Sequence, residues 1–350
     1  MSSEVNQAAY LDAPGTKLTL RQAPMPTPGP GEIVVKNHAI AINPLDTHQV
    51  AIGVFVQQWP AVIGCDVAGE VHDVGAGVSF LKGDRVIGHA INLVTGRPSD
   101  GTYQHYTIVR ADKAAILPDH ITFDRGVVIP FAIEAAVCAL CAKTPGVAMP
   151  GVATPALSLP FPALGHIDPI GNILVVYGAS SSVGSMAVQL ASSAMGIHVI
   201  ALCGAKNAKS VSMLGATEVF DHRDPDVVSK VVDAVKQSGD DFVGIFDAVS
   251  TEYTYARDLK ILENLDGGHL ATVHPPPSDV PENVKSGMIF AVNDIAGPVY
   301  RNFVTSALES GQLKPWPPAR VVGKGLVCIN EALELLKTGV SATKLVVELR

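Results

Sequence analysis

No cluster of basic residues interrupts this sequence, and its formal charge is −8. That balance argues against nucleic acid and against anionic membrane surfaces as partners. Met1 to Gly15 lacks the basic and apolar regions of a secretory signal. The longest apolar stretch, Val127 to Ala142, contains Glu134 and is short for a bilayer span. These absences predict a cytoplasmic location without a membrane partner. Cysteine is scarce too. Cys65, Cys138, Cys141, Cys203 and Cys328 are scattered, which is no disulfide framework. Cys138 and Cys141 form a C-x-x-C pair, but no second pair completes a zinc site. They read as two buried core thiols in an apolar helical stretch.

What is present points to an α/β enzyme. The 350 residues suffice for two domains. A hydrophobic fraction of 47%, with 32 Gly and 25 Pro, suits that class. Residues 1–130 are rich in short strands and turns: Ile33 to Val35, Val67 to Val74, and the turn pattern from Gly64 to Gly75 and Gly83 to Val86. They read as a barrel-like β domain. From about 173 the rhythm changes. Strands are expected at Ile173–Tyr177, His198–Leu202, Val219–Phe220, Phe242–Phe246 and His269–Val273, with helices at Val183–Met195, Lys206–Leu214 and Val227–Ser238. Such alternation predicts a parallel, doubly wound sheet. Lys344 to Leu349 reads as one more strand, returning to the first domain. The Pro/Gly/Ala-rich segment 143–171 reads as a surface insertion, a wall or a partner-contact loop.

The turn Gly178-Ala-Ser-Ser-Ser-Val-Gly184 sits between the first of these strands and the first helix. Free backbone N–H groups at a helix N-terminus favour an anion. Gly178 and Gly184 let the backbone approach it and let helix pack on strand. A dinucleotide pyrophosphate is the expected guest, although the spacing departs from G-x-G-x-x-G and an ordinary βα turn is the alternative. The second strand ends in Leu202-Cys-Gly-Ala-Lys-Asn207. An NAD site usually places an acid here, about 20 residues past the glycine loop. None is present, and Lys206 and Lys209 follow, so NADP(H) is the expected cofactor. Exposed helix charges are the alternative reading of these lysines.

Together, Ile42 to Thr47, the stretch 64–86, the loop 178–184, Leu214 to Asp221, Gly267-Gly268 and the Lys344–Leu349 tail resemble the medium-chain dehydrogenase/reductase superfamily. Within it, the Ser-rich loop, the 143–171 insertion and Asp221-His-Arg-Asp-Pro225 make the chain most similar to fungal trans-acting enoyl reductases that serve polyketide synthases. The resemblance implies a GroES-like catalytic domain at 1–130 and 307–350, and a Rossmann domain at 131–306. Zinc-dependent relatives carry a Cys beside the residues matching Asn43–Thr47, a His at Cys65, a third Cys near Pro130–Phe131, and a four-Cys lobe after Gly88. Here Gly88 to His105 contains no Cys, and a lone thiol at Cys65 cannot complete a three-ligand site. No metal is expected.

The resemblance also implies site residues. Leu45, Asp46, Thr47 and His48 would meet the cofactor. His48 and Thr47 are the catalytic candidates, because relatives place Tyr or Lys facing the nicotinamide at His48. A surface-loop or helix-start histidine is the alternative for His48, and helix capping for Asp46 and Thr47. Further NADP(H) contacts would be Gly178, Ser180, Ser181, Ser182 and Val183 in the glycine loop. Gly204, Ala205, Lys206 and Asn207 would follow the second strand. His222, Val249, Ser250, Ser341 and Ala342 would complete the set. Glu134, Ala136, Val137, Leu140 and Met288 would line the substrate side, with a solvated or capped charge as the alternative for Glu134. The implied activity is NADPH-dependent reduction of the C=C bond of an α,β-unsaturated polyketide thioester. Its partner would be a polyketide synthase or its acyl carrier protein. A quinone or enone reductase and a non-catalytic NADPH-binding protein are the alternatives. A monomer is expected, because Asp294, Gly297 and Pro298 would interrupt pairing along an edge at Ile289–Pro298.

Overall fold

A strand buried on both faces needs an almost unbroken apolar run, and Asn172-Ile-Leu-Val-Val-Tyr177 is one. In the computed structural model, which describes residues 5–142, 147–149, 152–153 and 157–350, this strand is central to a six-stranded sheet. The spatial order is Glu218–Asp221, His198–Cys203, Asn172–Tyr177, Asp241–Asp247, Gly268–Thr272 and Val284–Met288. Every neighbouring pair is parallel. By chain position that is 3-2-1-4-5-6, a doubly wound Rossmann sheet.

The helices obey the same patterning. Val227–Ser238 buries Val227, Val231, Val232 and Val235, spaced to share one helical face. These valines pack with Val175, Tyr177, Ile245 and Ile261 in one apolar cluster. The expected helix at 206–214 is shorter than its pattern suggested: a 3-10 turn Ala205–Asn207 leads into Ala208–Met213. The helix Glu252–Asn264 lacked a clear apolar stripe and was not anticipated. The sheet's edge strand is also a correction. It is Val284–Met288, not Ile289–Pro298. Past it, Ile289, Phe290 and Ala291 are buried, and Asn293 Nδ2 turns back to donate to Phe290 O at 2.8 Å.

A second, seven-stranded sheet has Ala319–Lys324, Lys344–Glu348, Glu32–Ala41, Asp66–Val74, Arg85–His89 and Ala114–Ile116 along its path, with Tyr106–Arg110 paired to Glu32–Ala41. The C-terminal strand Lys344–Glu348 is antiparallel to Glu32–Ala41. This is the GroES-like part of the chain. Ile40, Ile63, Tyr103, Leu333 and Val347 belong to its main apolar cluster.

The chain divides into two compact units: Met1–Phe131, Tyr300–Glu309 and Pro315–Arg350 in one, Ala132–Val299 and Ser310–Lys314 in the other. The return to the first unit was expected at 307. It occurs at Tyr300, because Tyr300 Oη donates to Pro130 O at 2.7 Å and Thr305 Oγ1 to Ile116 O at 3.1 Å. Residues 310–314 then revisit the second unit, where Lys314 N donates to Gln189 Oε1 at 2.9 Å and Gln312 Nε2 to Ser193 O at 2.8 Å. Of the 143–171 segment, 143–146, 150–151 and 154–156 lie outside the described residues. Its later part is tied to the second unit: Leu159 N donates to Leu140 O, and Ala163 N to Ala194 O, both at 2.9 Å.

Candidate active site

In a doubly wound sheet, ligands bind beyond the strand C-termini where strand order reverses. Here that point lies between Tyr177 and Asp247, which are paired across their strands. The glycine loop leaves one, and Ala248-Val249-Ser250 leaves the other. Gly178 has φ 72°, and a Cβ on it would stand 2.4 Å from Val249 Cγ2. A Cβ on Gly184 would stand 2.3 Å from Gly178 O. Both positions therefore require glycine. Ser181 caps the helix Ser182–Met195, its Oγ accepting from Gly184 N at 3.0 Å, a contact worth about 1 kcal/mol. The Ser182 and Val183 N–H groups are in the first turn and have no intrahelical acceptor. With the helix dipole, they can hold a pyrophosphate.

Asn207 Nδ2 donates to Ser180 Oγ at 3.2 Å, linking the glycine loop to the turn after the second strand. At that turn Gly204 is buried, while Ala205 and Lys206 are exposed. A Cβ on Gly204 would lie 3.4 Å from Arg223 Nη2. A guanidinium thus stands where an NAD enzyme places its acid, a charge suited to a 2′-phosphate. Lys209 is exposed as well. Burial pushes the Cys203 thiol up to about 11, with Asp221 adding to it, so this cysteine is inert at neutral pH. The His222 ring stands 6.2 Å from the Tyr177 ring and 6.1 Å from Tyr253, and Arg257 lies over Tyr253 at 3.7 Å. Burial lowers the His222 pKa below its ordinary value and keeps the ring neutral. The three rings meet edge to face, with Tyr177 buried beneath.

The third loop depends on a residue that sequence reasoning missed. Asp247 Oδ1 accepts the Val249 and Ser250 N–H groups, each at 2.9 Å, and Oδ2 accepts Thr254 Oγ1 at 2.6 Å. Ser250, at φ 58°, donates its Oγ to Asp247 O and accepts Val273 N, both at 2.9 Å. The only signal in the sequence was an acid closing a predicted strand.

In the GroES-like unit, the helix Pro44–Ile52 carries Leu45 to His48. Asp46 is a correction. Its side chain is fully buried, and Oδ2 accepts Asn43 N at 2.7 Å and Tyr103 Oη at 2.8 Å. It caps the helix instead of meeting a cofactor. Burial raises its pKa to about 7, against the opposing pull of Asn43 N–H, Tyr103 and Lys344. Thr47 Oγ1 donates to Pro44 O at 2.7 Å. Leu45 and Thr47 are half-buried and His48 is exposed. In the same unit Ser341 is exposed and Ala342 half-buried, with φ 46°.

The expected substrate side is also corrected. Glu134, Ala136, Val137 and Leu140 lie on the helix Pro130–Cys141 and are fully buried, so they pack instead of offering surface to a substrate. Met288 is half-buried at the end of the edge strand. Cys138 and Cys141 are buried too. Cys138 Sγ is 3.2 Å from both Phe290 O and Asn293 Nδ2.

The resemblance puts the zinc ligands of zinc-dependent relatives beside Asn43–Thr47, at Cys65 and near Pro130–Phe131. Around them Asn43 Nδ2 donates to Asp66 Oδ2 at 2.8 Å, Phe131 N donates to Asp66 Oδ1 at 2.7 Å, and Lys344 Nζ pairs with Asp66 and Asn43. The one carboxylate, Asp66, is already bonded to Asn43, Phe131 N and Lys344, and neither an amide nor an ammonium supplies the thiolate or imidazole of a zinc site, so this set does not fit a zinc ion. Among the described residues, no group of three or more His, Cys, Asp and Glu could hold a metal. Nor is any described helix long and apolar enough to cross a membrane.

Residues 29–119 match the alcohol dehydrogenase GroES-like domain model, and 182–296 match the zinc-binding dehydrogenase model. The chain is 66% identical to Dehydrogenase orsE of Emericella nidulans over 346 residues, covering 98% of this chain and 99% of that one. It is 34% identical to the trans-enoyl reductase himH of Aspergillus japonicus, covering 100% of this chain and 99% of that one. Among solved structures, mycobacterial Rv1454c complexed with NADPH superposes with a TM-score of 0.69 at 21% identity, covering 98% of this chain and 100% of that one.

Proposed function

The chain belongs to the medium-chain dehydrogenase/reductase superfamily, and from that premise we propose that it is an NADPH-dependent enoyl reductase. Its substrate is an α,β-unsaturated thioester carried by a polyketide synthase or its acyl carrier protein. The supporting observation is the Asn43–Asp66–Lys344 cluster on a dehydrogenase fold. Those groups are not a zinc ligand set, so the proposed reaction does not rely on a zinc ion to polarise an alcohol or ketone. The substrate must bring its own electron sink, as the carbonyl of an enoyl thioester does. The full-length likeness to a protein named trans-enoyl reductase agrees.

NADPH fits the Rossmann unit. The Ser182 and Val183 N–H groups would hold its pyrophosphate, and Arg223 with the exposed Lys206 would meet its 2′-phosphate. When bound, the nicotinamide supplies a hydride. His48, exposed on its helix, donates a hydrogen bond to the enolate oxygen, which lowers the barrier as an oxyanion donor does.

The test is turnover of a pantetheine enoyl thioester with NADPH, followed by mass analysis of the product. The expected product is the saturated thioester. Rapid quinone reduction with an untouched thioester would assign a quinone reductase instead. Tight NADPH binding with no turnover would assign a non-catalytic binding protein.

A further inference from the structure

The turn that carries Arg223 is held at both ends of one peptide unit. His222 N donates to Cys203 O and Asp224 N to Asp221 O, both at 3.0 Å, which closes the turn after the strand Glu218–Asp221. Within it, the peptide that joins His222 to Arg223 sends its N–H to Asp221 Oδ1 at 3.1 Å. Its carbonyl, His222 O, accepts Tyr253 Oη at 3.0 Å. A peptide unit is planar, so fixing its N–H and its C=O fixes the plane from which the Arg223 side chain sets out. Tyr253 comes from elsewhere in the chain. It lies in the first turn of the helix Glu252–Asn264, just past the loop Ala248–Ser250.

The Tyr253 side chain is half-exposed, yet it is itself held. The Arg257 guanidinium lies over its ring at 3.7 Å, and Arg257 Nη1 donates to Tyr253 O at 3.3 Å. The His222 ring meets it at 89°. A ring already ordered by a cation and a second ring loses little further freedom when its hydroxyl bonds.

We propose that Tyr253 is the positioning residue for Arg223, and through it a determinant of the preference for NADPH over NADH. Tyr253 acts on the His222–Arg223 peptide. The Arg223 guanidinium, 3.4 Å from a Cβ on Gly204, meets the phosphate. The helix after the third cofactor loop thereby sets the charge at the end of the second strand. The inference rests on the reading of Arg223 as the 2′-phosphate contact.

Tyr253→Phe removes only the hydroxyl and keeps the ring under Arg257. NADPH and NADH dissociation constants are compared for wild type, Tyr253→Phe, Arg223→Ala and the double variant. Tyr253→Phe should bind NADPH about fivefold more weakly, the loss of roughly one hydrogen bond, and NADH within about twofold of wild type. In the Arg223→Ala background the same change should weaken NADPH binding by less than about twofold, because the side chain it positions is gone. Unchanged NADPH binding in Tyr253→Phe, equal weakening for both cofactors, or the same loss with and without Arg223 overturns the proposal. Unchanged preference in Arg223→Ala would instead sink the 2′-phosphate reading. Amide hydrogen exchange of the cofactor-free protein reports on the positioning separately. His222 to Asp224 should exchange at least about threefold faster in Tyr253→Phe than in wild type. Equal rates overturn the proposal.

Discussion

Lys344 Nζ lies 3.1 Å from Asp66 Oδ2, and both side chains are almost wholly buried. The pair ties the last strand of the chain to the strand Asp66–Val74, and Asn43 bonds to both partners. The region that zinc-dependent relatives would give to a metal is occupied here by an internal ion pair.

Removing one partner of such a pair leaves an uncompensated buried charge. Lys344→Met should destabilise the protein by about 3 kcal/mol, measured by urea unfolding. The double variant Asp66→Asn/Lys344→Met should recover part of that loss. A single-variant effect below about 0.5 kcal/mol would contradict the role given to the pair.

Gly184→Ala should weaken NADPH binding at least about tenfold, because the new methyl must displace Gly178 O from the turn. Calorimetric titration would show it. Wild-type affinity in a folded variant would mean that this turn does not hold the dinucleotide.

Arg223 provides the cofactor preference. Arg223→Ala should weaken NADPH binding about tenfold and leave NADH binding nearly unchanged. Equal losses for both cofactors would remove the 2′-phosphate contact from the account.

Asp46 makes stability pH-dependent. Its native pKa of about 7 lies above the ordinary 3.8, so the native state binds more protons than the unfolded one between those values. Stability therefore falls as pH rises through that window and levels off above it. Asp46→Asn keeps an acceptor for Asn43 N–H and removes the titration. Its stability, relative to wild type, should be greater at about pH 8 than at about pH 5, by on the order of a few kcal/mol. Parallel pH profiles for the two proteins would refute the assignment.

His48→Ala should lower kcat roughly 10- to 1,000-fold with NADPH binding nearly intact. His48→Gln, which keeps a donor, should lose less. Full activity in the Ala variant would remove His48 from the mechanism.

The backbone of the cofactor site was legible from residue order. A strand, a glycine turn and a helix are local structures, specified by an apolar run, two glycines and a capping serine within a few positions of one another. The succession of such units implies a parallel sheet, and the missing Cys and His around Asn43, Cys65 and Phe131 could be read position by position. What a side chain does at a given position was less accessible. Asp46 turns inward because Tyr103, far along the chain, offers it a hydroxyl. The helix carrying Glu134 and Leu140 is buried on every side that sequence reasoning reserved for substrate. Arg223 reaches Gly204 only because the strands that lead into them are neighbours in the sheet. Local conformation follows from neighbours in the chain. Burial, charge state and contact follow from neighbours in space, and for these residues only the folded sheet brings those neighbours together.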